Sequence, residues 1–347
     1  MPARQQDANP TLARMNRVAP SLTPVTSPLR LVHGMPRHRR MLIAGAIAFL
    51  AAWLAVGGYG IYAEGRDYYT YRGFPPPVVP AGIAAGKVQT GHLYSPALRQ
   101  RRSYAIYVPP GYRQAVARGV RYPVLYLLHA PPGKPAGYFT AGALAVRMDE
   151  LIAAHRIRPF LVVLPDGRTG GPSNDTEWAN ANRGRYESFV LDVVHAVDKR
   201  WATVPHRSAR AIGGLSEGGY GAANITLRNL RTFGAFQSWS GYFVQTPTDA
   251  FTGATRTALR ANSPLLYVNR LRGALARYPV HAWLYQGRLD RDSNAPQMFA
   301  FARALRVAGG RVRVTLVPGG HSWLVWRNQM PTALRLASIW FGPGQLR

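Results

Sequence analysis

The chain contains no cysteine, which excludes disulfides, thiolate metal sites and a cysteine nucleophile. Acidic residues are scarce as well: 15 Asp and Glu stand against 43 Lys and Arg, a formal net charge of +28. A basic balance of that size brings nucleic acid, anionic lipid and acidic envelope polymers into consideration as partners. The basic residues are mostly scattered arginines without a dense block, and no zinc-finger spacing accompanies them. A basic solvated surface is therefore expected rather than a nucleic-acid partner, with an anionic envelope polymer or lipid left open. No internal repeat is present, and nothing in the sequence asks for a metal or a cofactor.

Against these absences stand 47% apolar residues in 347, enough for one large domain with an appendage. Residues 1–40, rich in Pro, Arg, Ser and Thr, read as a disordered basic tail. Residues 41–62 are uncharged throughout and long enough to cross about 30 Å of hydrocarbon as a helix. A cleaved signal peptide competes with a membrane anchor here; the long polar leader and the lack of a clean cleavage site favour the anchor. Arg37, Arg39 and Arg40 crowd the N-terminal flank, whereas Glu64, Arg66 and Asp67 nearly balance on the other. The tail is then expected in the cytoplasm and everything after Tyr62 outside. Residues 63–85, with the Phe74-Pro75-Pro76-Pro77 run, suit an extended linker, and 86–347 form the folded domain.

Within that domain, 87–109 alternates as antiparallel edge strands. The continuous apolar runs at 124–128 and 160–164 suit strands buried on both faces of a parallel sheet. Phe189, Val193, Val197 and Trp201 recur every four residues, as on one face of a helix. Strands at 236–240, 282–286 and 311–317 follow, with a helix at 294–307 and a less regular stretch to about Tyr278 that suits a lid or pocket wall. Strands alternating with helices give an α/β, mostly parallel sheet with helices on both faces.

Gly214-Leu215-Ser216-Glu217-Gly218 sits between the strand residues 210–213 and a helix from about Tyr220. Glycines two residues either side of a serine permit the sharp strand-to-helix turn of a nucleophile elbow. A serine hydroxyl needs a histidine to take its proton and a carboxylate to orient that histidine. Asp290 and then His321 follow in that order, each in a turn after a later strand, and His321 is the only histidine beyond Asp290. Asp292 competes for the carboxylate role. His129 also ends a strand, but it precedes the elbow and reads as a loop-orienting residue.

From about Gly86 onward the chain resembles the esterase family of α/β-hydrolases that includes feruloyl esterases, S-formylglutathione hydrolases and the antigen 85 mycolyltransferases. The resemblance rests on Leu127-Leu128-His129 with Gly133, Pro165-Asp166-Gly167, Asn174-Asp175-Thr176-Glu177-Trp178, the elbow through Tyr220-Gly221-Ala222, Ser240-Gly241-Tyr242-Phe243, Gly287 with Asp290, and Gly319-Gly320-His321-Ser322-Trp323. It implies a Ser216–His321–Asp290 triad, with the Glu217 amide as one oxyanion donor. Two departures stand out: Glu217 places a carboxyl beside the serine, and His129-Ala130-Pro131 replaces the His-Gly-x of relatives. Proline has no N–H, so the second donor is expected from Ala130 or Gly133 in a reshaped loop. Trp178, Tyr220 and Trp323 are the expected pocket residues. The activity implied is hydrolysis of a carboxylic ester, small-molecule or lipid or carbohydrate, through an acyl-enzyme. An acyltransferase acting on an envelope sugar or lipid would use the same residues, and a non-catalytic envelope-binding protein is the alternative of another class.

Overall fold

The computed structural model describes residues 36–170 and 175–341; the expected disordered tail, apart from its last residues, and Asn174 lie outside them. The chain divides into two compact units between Glu64 and Gly65. The first contains most of one helix, Arg37–Tyr71, apolar and long enough to cross a membrane. Its apolar side chains, Leu42, Ile47, Phe49 and Trp53 among them, are exposed. The helix outruns the expected 41–62, taking up the first part of the expected linker. Nothing after Tyr62 breaks it until Arg72, at φ 56°, and the proline run beginning at Pro75, because proline disfavours helical backbone in the residue before it.

The second unit is built on an eight-stranded sheet ordered β1-β2-β4-β3-β7-β8-β9-β10. β1 (Lys87–Ser95) and β2 (Gln100–Val108) pair antiparallel, and β2 pairs antiparallel with β4 (Leu161–Pro165). From β4 onward β3 (Val124–Leu128), β7 (Arg210–Leu215), β8 (Ala235–Trp239), β9 (His281–Gly287) and β10 (Arg311–Val317) run parallel. β3, β4, β7 and β8 are buried along their whole length, which is why β3 and β4 read as unbroken apolar runs. β5 (Asn180–Ala181) and β6 (Gly184–Arg185) form a separate short hairpin.

One core layer packs Phe189, Val193 and Val197 of the helix Tyr186–Arg200 against the sheet, with Phe301 and Leu305 of Ala295–Val307. The opposite layer is closed by the C-terminal helix Trp323–Trp340 through Met330, Leu334 and Ala337. The stretch between β8 and β9 folds into short helices that pack behind the elbow: the Tyr267 hydroxyl donates to Asn224 Oδ1 at 2.8 Å. It is not the wall of the cleft described next, as the sequence had suggested.

Candidate active site

The parallel strands deliver their chemistry at one edge of the sheet. His129, Asp166, Ser216, Ser240, Asp290 and His321 each follow the C-terminal end of a strand or the turn after it, the edge at which open α/β sheets place their ligands. Ser216 sits between β7 and the helix Glu217–Arg228, which starts three residues earlier than its sequence suggested, at φ 55°, ψ −121°. For a residue with a Cβ this is a strained backbone, held by the hydrogen bond from Ser216 N–H to the Trp239 carbonyl at 2.7 Å.

Asp290 and His321 meet because the ends of β9 and β10 touch. Leu289 N–H donates to the Gly319 carbonyl at 2.9 Å, and a Cβ on Gly287 would lie 2.2 Å from that same oxygen. His321 Nδ1 then stands 3.0 Å from Asp290 Oδ2 and 3.1 Å from Oδ1. Asp292 instead donates its own N–H to Asp290 Oδ1, as does Ser293, so of the two carboxylates it is Asp290 that lies beside His321. Burial would raise the Asp290 carboxyl, but hydrogen bonds from His321 and Ser240 outweigh it and hold it at about 2. An ionised carboxylate on Nδ1 fixes the tautomer that leaves Nε2 free to accept a proton.

Ser216 and His321 line one cleft of about 410 Å³, within the usual range for ligand sites. Its apolar walls include Pro131, Leu215, Trp323 and Leu324. Trp326, edge-on to the His321 ring at 5.1 Å, also lines it and donates to Ser240 Oγ. Arg72 and Phe74, from the expected linker, complete the wall, and Arg327 lies 4.6 Å over the Phe74 ring. No local sequence signal marks Phe74 or Trp326, since both owe their place to contacts distant in sequence.

Of the three aromatic residues expected in the pocket, only Trp323 lines the cleft. Trp178 and Tyr220 are fully buried. The Trp178 indole donates to the His129 carbonyl at 2.8 Å, and the Tyr220 hydroxyl donates to the Asn262 carbonyl at 2.8 Å. They pack behind the elbow, where their polar ends find backbone acceptors.

The amide of Glu217 opens its helix, so it belongs to the N–H groups without an intrahelical acceptor. The Glu217 side chain turns the other way: Thr176 N–H and Oγ1 both donate to its Oε1 at 3.1 Å. Burial, with Asp175 and Glu177 nearby, holds this carboxyl well above the ordinary carboxylate range. It is held by Thr176 and is not among the residues that line the cleft with His321, where its position in sequence would put a charge. In the 129–134 loop, the Gly133 N–H is committed to the Ala130 carbonyl at 2.7 Å, whereas among the described residues the Ala130 N–H has no backbone acceptor. His129 acts as the loop tie expected of it: its Nε2 accepts from Gly167 N–H at 3.1 Å, and burial pushes the ring down to about 4. Among the described residues no group of three or more metal-ligating side chains occurs.

Comparison with known proteins identifies the family. An endo-1,4-beta-xylanase/feruloyl esterase of Xylanibacter ruminicola is 31% identical over 189 residues, 53% of this chain and 24% of that protein. An esterase of Mycobacterium tuberculosis is 28% identical over 137 residues, 39% of this chain and 28% of that one. The chain thus spans about a quarter of the length of each of these two relatives. Among solved structures, a ferulic acid esterase superposes with a TM-score of 0.64 at 24% identity, covering 75% of this chain and all of that one. An S-formylglutathione hydrolase from Agrobacterium tumefaciens superposes at 0.62 and 19% identity, covering 78% and 100%. Residues 95–337 match the family model described as "Putative esterase", and this chain belongs to that esterase family, with the α/β-hydrolase fold.

Proposed function

We propose that the chain is a serine esterase that works through an acyl-enzyme on Ser216. The observation that carries this reading is the His321–Asp290 pair beside a strained serine in one cleft. Ser216 Oγ bonds to the ester carbonyl carbon as its proton passes to His321 Nε2. The Asp290 carboxylate stabilises the imidazolium, and the oxyanion is met by the Glu217 and Ala130 amides. Collapse breaks the carbon–oxygen bond, and the leaving alkoxide takes the proton from Nε2. Water then repeats the sequence on the acyl-enzyme and releases the acid.

The substrate is a carboxylic ester, and the names of the relatives point to aromatic acyl groups on carbohydrate. The apolar cleft walls equally suit the acyl chain of an envelope lipid, with a sugar or lipid hydroxyl in place of water. The intact pairing of His321 with Asp290 weighs against a non-catalytic envelope-binding protein. The uncharged run at 41–62 anchors the chain, with the arginine-flanked tail in the cytoplasm and the esterase unit outside. Arg72 and Phe74 of the cleft wall follow that run within about a dozen residues in sequence.

The test uses intact cells carrying the full chain, given membrane-impermeant acyl esters of graded length with and without a sugar acceptor. Products are expected in the medium, and protease added outside is expected to abolish their formation. Activity that survives external protease, or appears only after lysis, would overturn the location.

A further inference from the structure

Ala130 is the second oxyanion donor in the proposed reaction, and its N–H belongs to the same peptide unit as the carbonyl of His129. In a trans peptide the two groups point to opposite sides. Whatever grips the His129 carbonyl therefore also aims the Ala130 amide.

The grip comes from Trp178. Its indole N–H donates to that carbonyl at 2.8 Å from a fully buried position, while Ala130 lines the cleft. With its carbonyl held on the buried side, the peptide turns its N–H away from Trp178. Among the described residues the Ala130 amide has no protein acceptor. The elbow lies against the same peptide: a Cβ on Gly218 would sit 3.0 Å from the His129 oxygen and 2.1 Å from that of Leu128. The peptide that carries the Ala130 amide thus abuts the first turn of the helix that Glu217 opens.

Trp178 is itself held in an unusual way. Glu177 and Trp178 both have positive φ, 52° and 45°, and two successive side-chain-bearing residues in that region need support from outside. Glu177 Oε2 accepts from the Tyr242 hydroxyl at 2.5 Å and from Gln245 Nε2 at 2.7 Å. Thr176 Oγ1 accepts from Trp178 N–H at 3.3 Å while donating to Glu217 Oε1. Gly221 leaves room on the elbow helix, where a Cβ would fall 2.6 Å from that of Trp178. A chain of hydrogen bonds thus runs from the side chain of one oxyanion residue, Glu217, through Thr176 and Trp178 to the peptide of the other.

We propose that Trp178 is the positioning residue of the oxyanion hole: its indole N–H fixes the His129–Ala130 peptide so that Ala130 supplies the donor that Pro131 cannot. This rests on the esterase reading above. The hydrogen bond also polarises the peptide and strengthens its amide as a donor.

The test is Trp178→Phe in the full chain, which keeps an aromatic ring in the site and removes the N–H. Active sites are titrated with a fluorophosphonate, so that misfolded protein does not count. Removing an oxyanion donor outright costs about 100- to 1000-fold in kcat; losing its support should cost about ten- to a hundredfold per titrated site. KM should change far less, and affinity for an alkylboronic acid, which mimics the tetrahedral state, should weaken in step with kcat/KM. An unchanged kcat per titrated site, or a fall in kcat with boronate affinity intact, would overturn the proposal. A wild-type chain that neither hydrolyses esters nor binds the boronate would remove the esterase reading itself.

Discussion

Asp290 touches no substrate, yet the chemistry proposed for Ser216 runs through it. With its carboxyl held at about 2, it is ionised across the physiological range and keeps His321 Nδ1 as the donor. Asp290→Asn preserves the size of the group but offers Nδ1 an acceptor and a donor alike, so the wrong tautomer is stabilised. In a triad that change costs about 10⁴ in kcat, and a loss of that order is expected here in steady-state hydrolysis of an activated ester. A variant within tenfold of wild type would show that Asp290 only braces the turn. The stability Asp290 lends has a sign as well. Its folded value lies below the unfolded one, so the contribution is present above about pH 4 and is lost as pH falls through 2. Residue order and the two glycine-flanked turns mark Ser216, Asp290 and His321 as candidates in the sequence, and the structure pairs His321 with Asp290 and lines one cleft with Ser216 and His321. The roles of Trp178 and Tyr220 were not legible, because an aromatic next to a motif gives no sign of which side of the backbone it faces. The turn of the Glu217 side chain toward Thr176 was hidden for the same reason.

At the scale of elements, the strands were readable because burial on both faces leaves an unbroken apolar run, as in Val124–Leu128 and Leu161–Pro165. The C-terminal helix Trp323–Trp340 was not, since Pro331 inside it reads as a breaker. The segment from Asp175 to Trp178 was legible only as a motif. It carries the buried Glu177 carboxyl and the half-buried Asp175 carboxyl. Burial, with Asp175 nearby, pushes Glu177 up to about 8, and burial with Asp249 pushes Asp175 up to about 6. The sign follows from proton uptake: between the ordinary glutamate value of about 4.3 and 8 the folded chain keeps a proton on Glu177 that the unfolded chain has released. Stability therefore falls as pH rises through that window and levels off above it. Glu177→Gln keeps a neutral acceptor for Tyr242 and Gln245 and removes the titration. Its melting temperature should fall less than that of wild type between pH 5 and pH 8, followed by calorimetry in both proteins. Parallel curves would show that Glu177 is already ionised when folded.

For the whole molecule, composition carried the coarse organisation. An uncharged run such as 41–62 is a local signal and needs no fold to be seen. The reach of Phe74 into the cleft wall under Arg327 is not local, and a Pro-rich segment looks like a spacer until its contacts are known. The net charge of +28 acts through long-range attraction and enters no step of the chemistry proposed at Ser216. That chemistry is the central claim, and peptide mapping by mass spectrometry of the full chain after reaction with a fluorophosphonate tests it most directly. One adduct, on Ser216, is expected, formed far more slowly in His321→Ala. An adduct on another residue, or esterase activity that persists in Ser216→Ala, would contradict it.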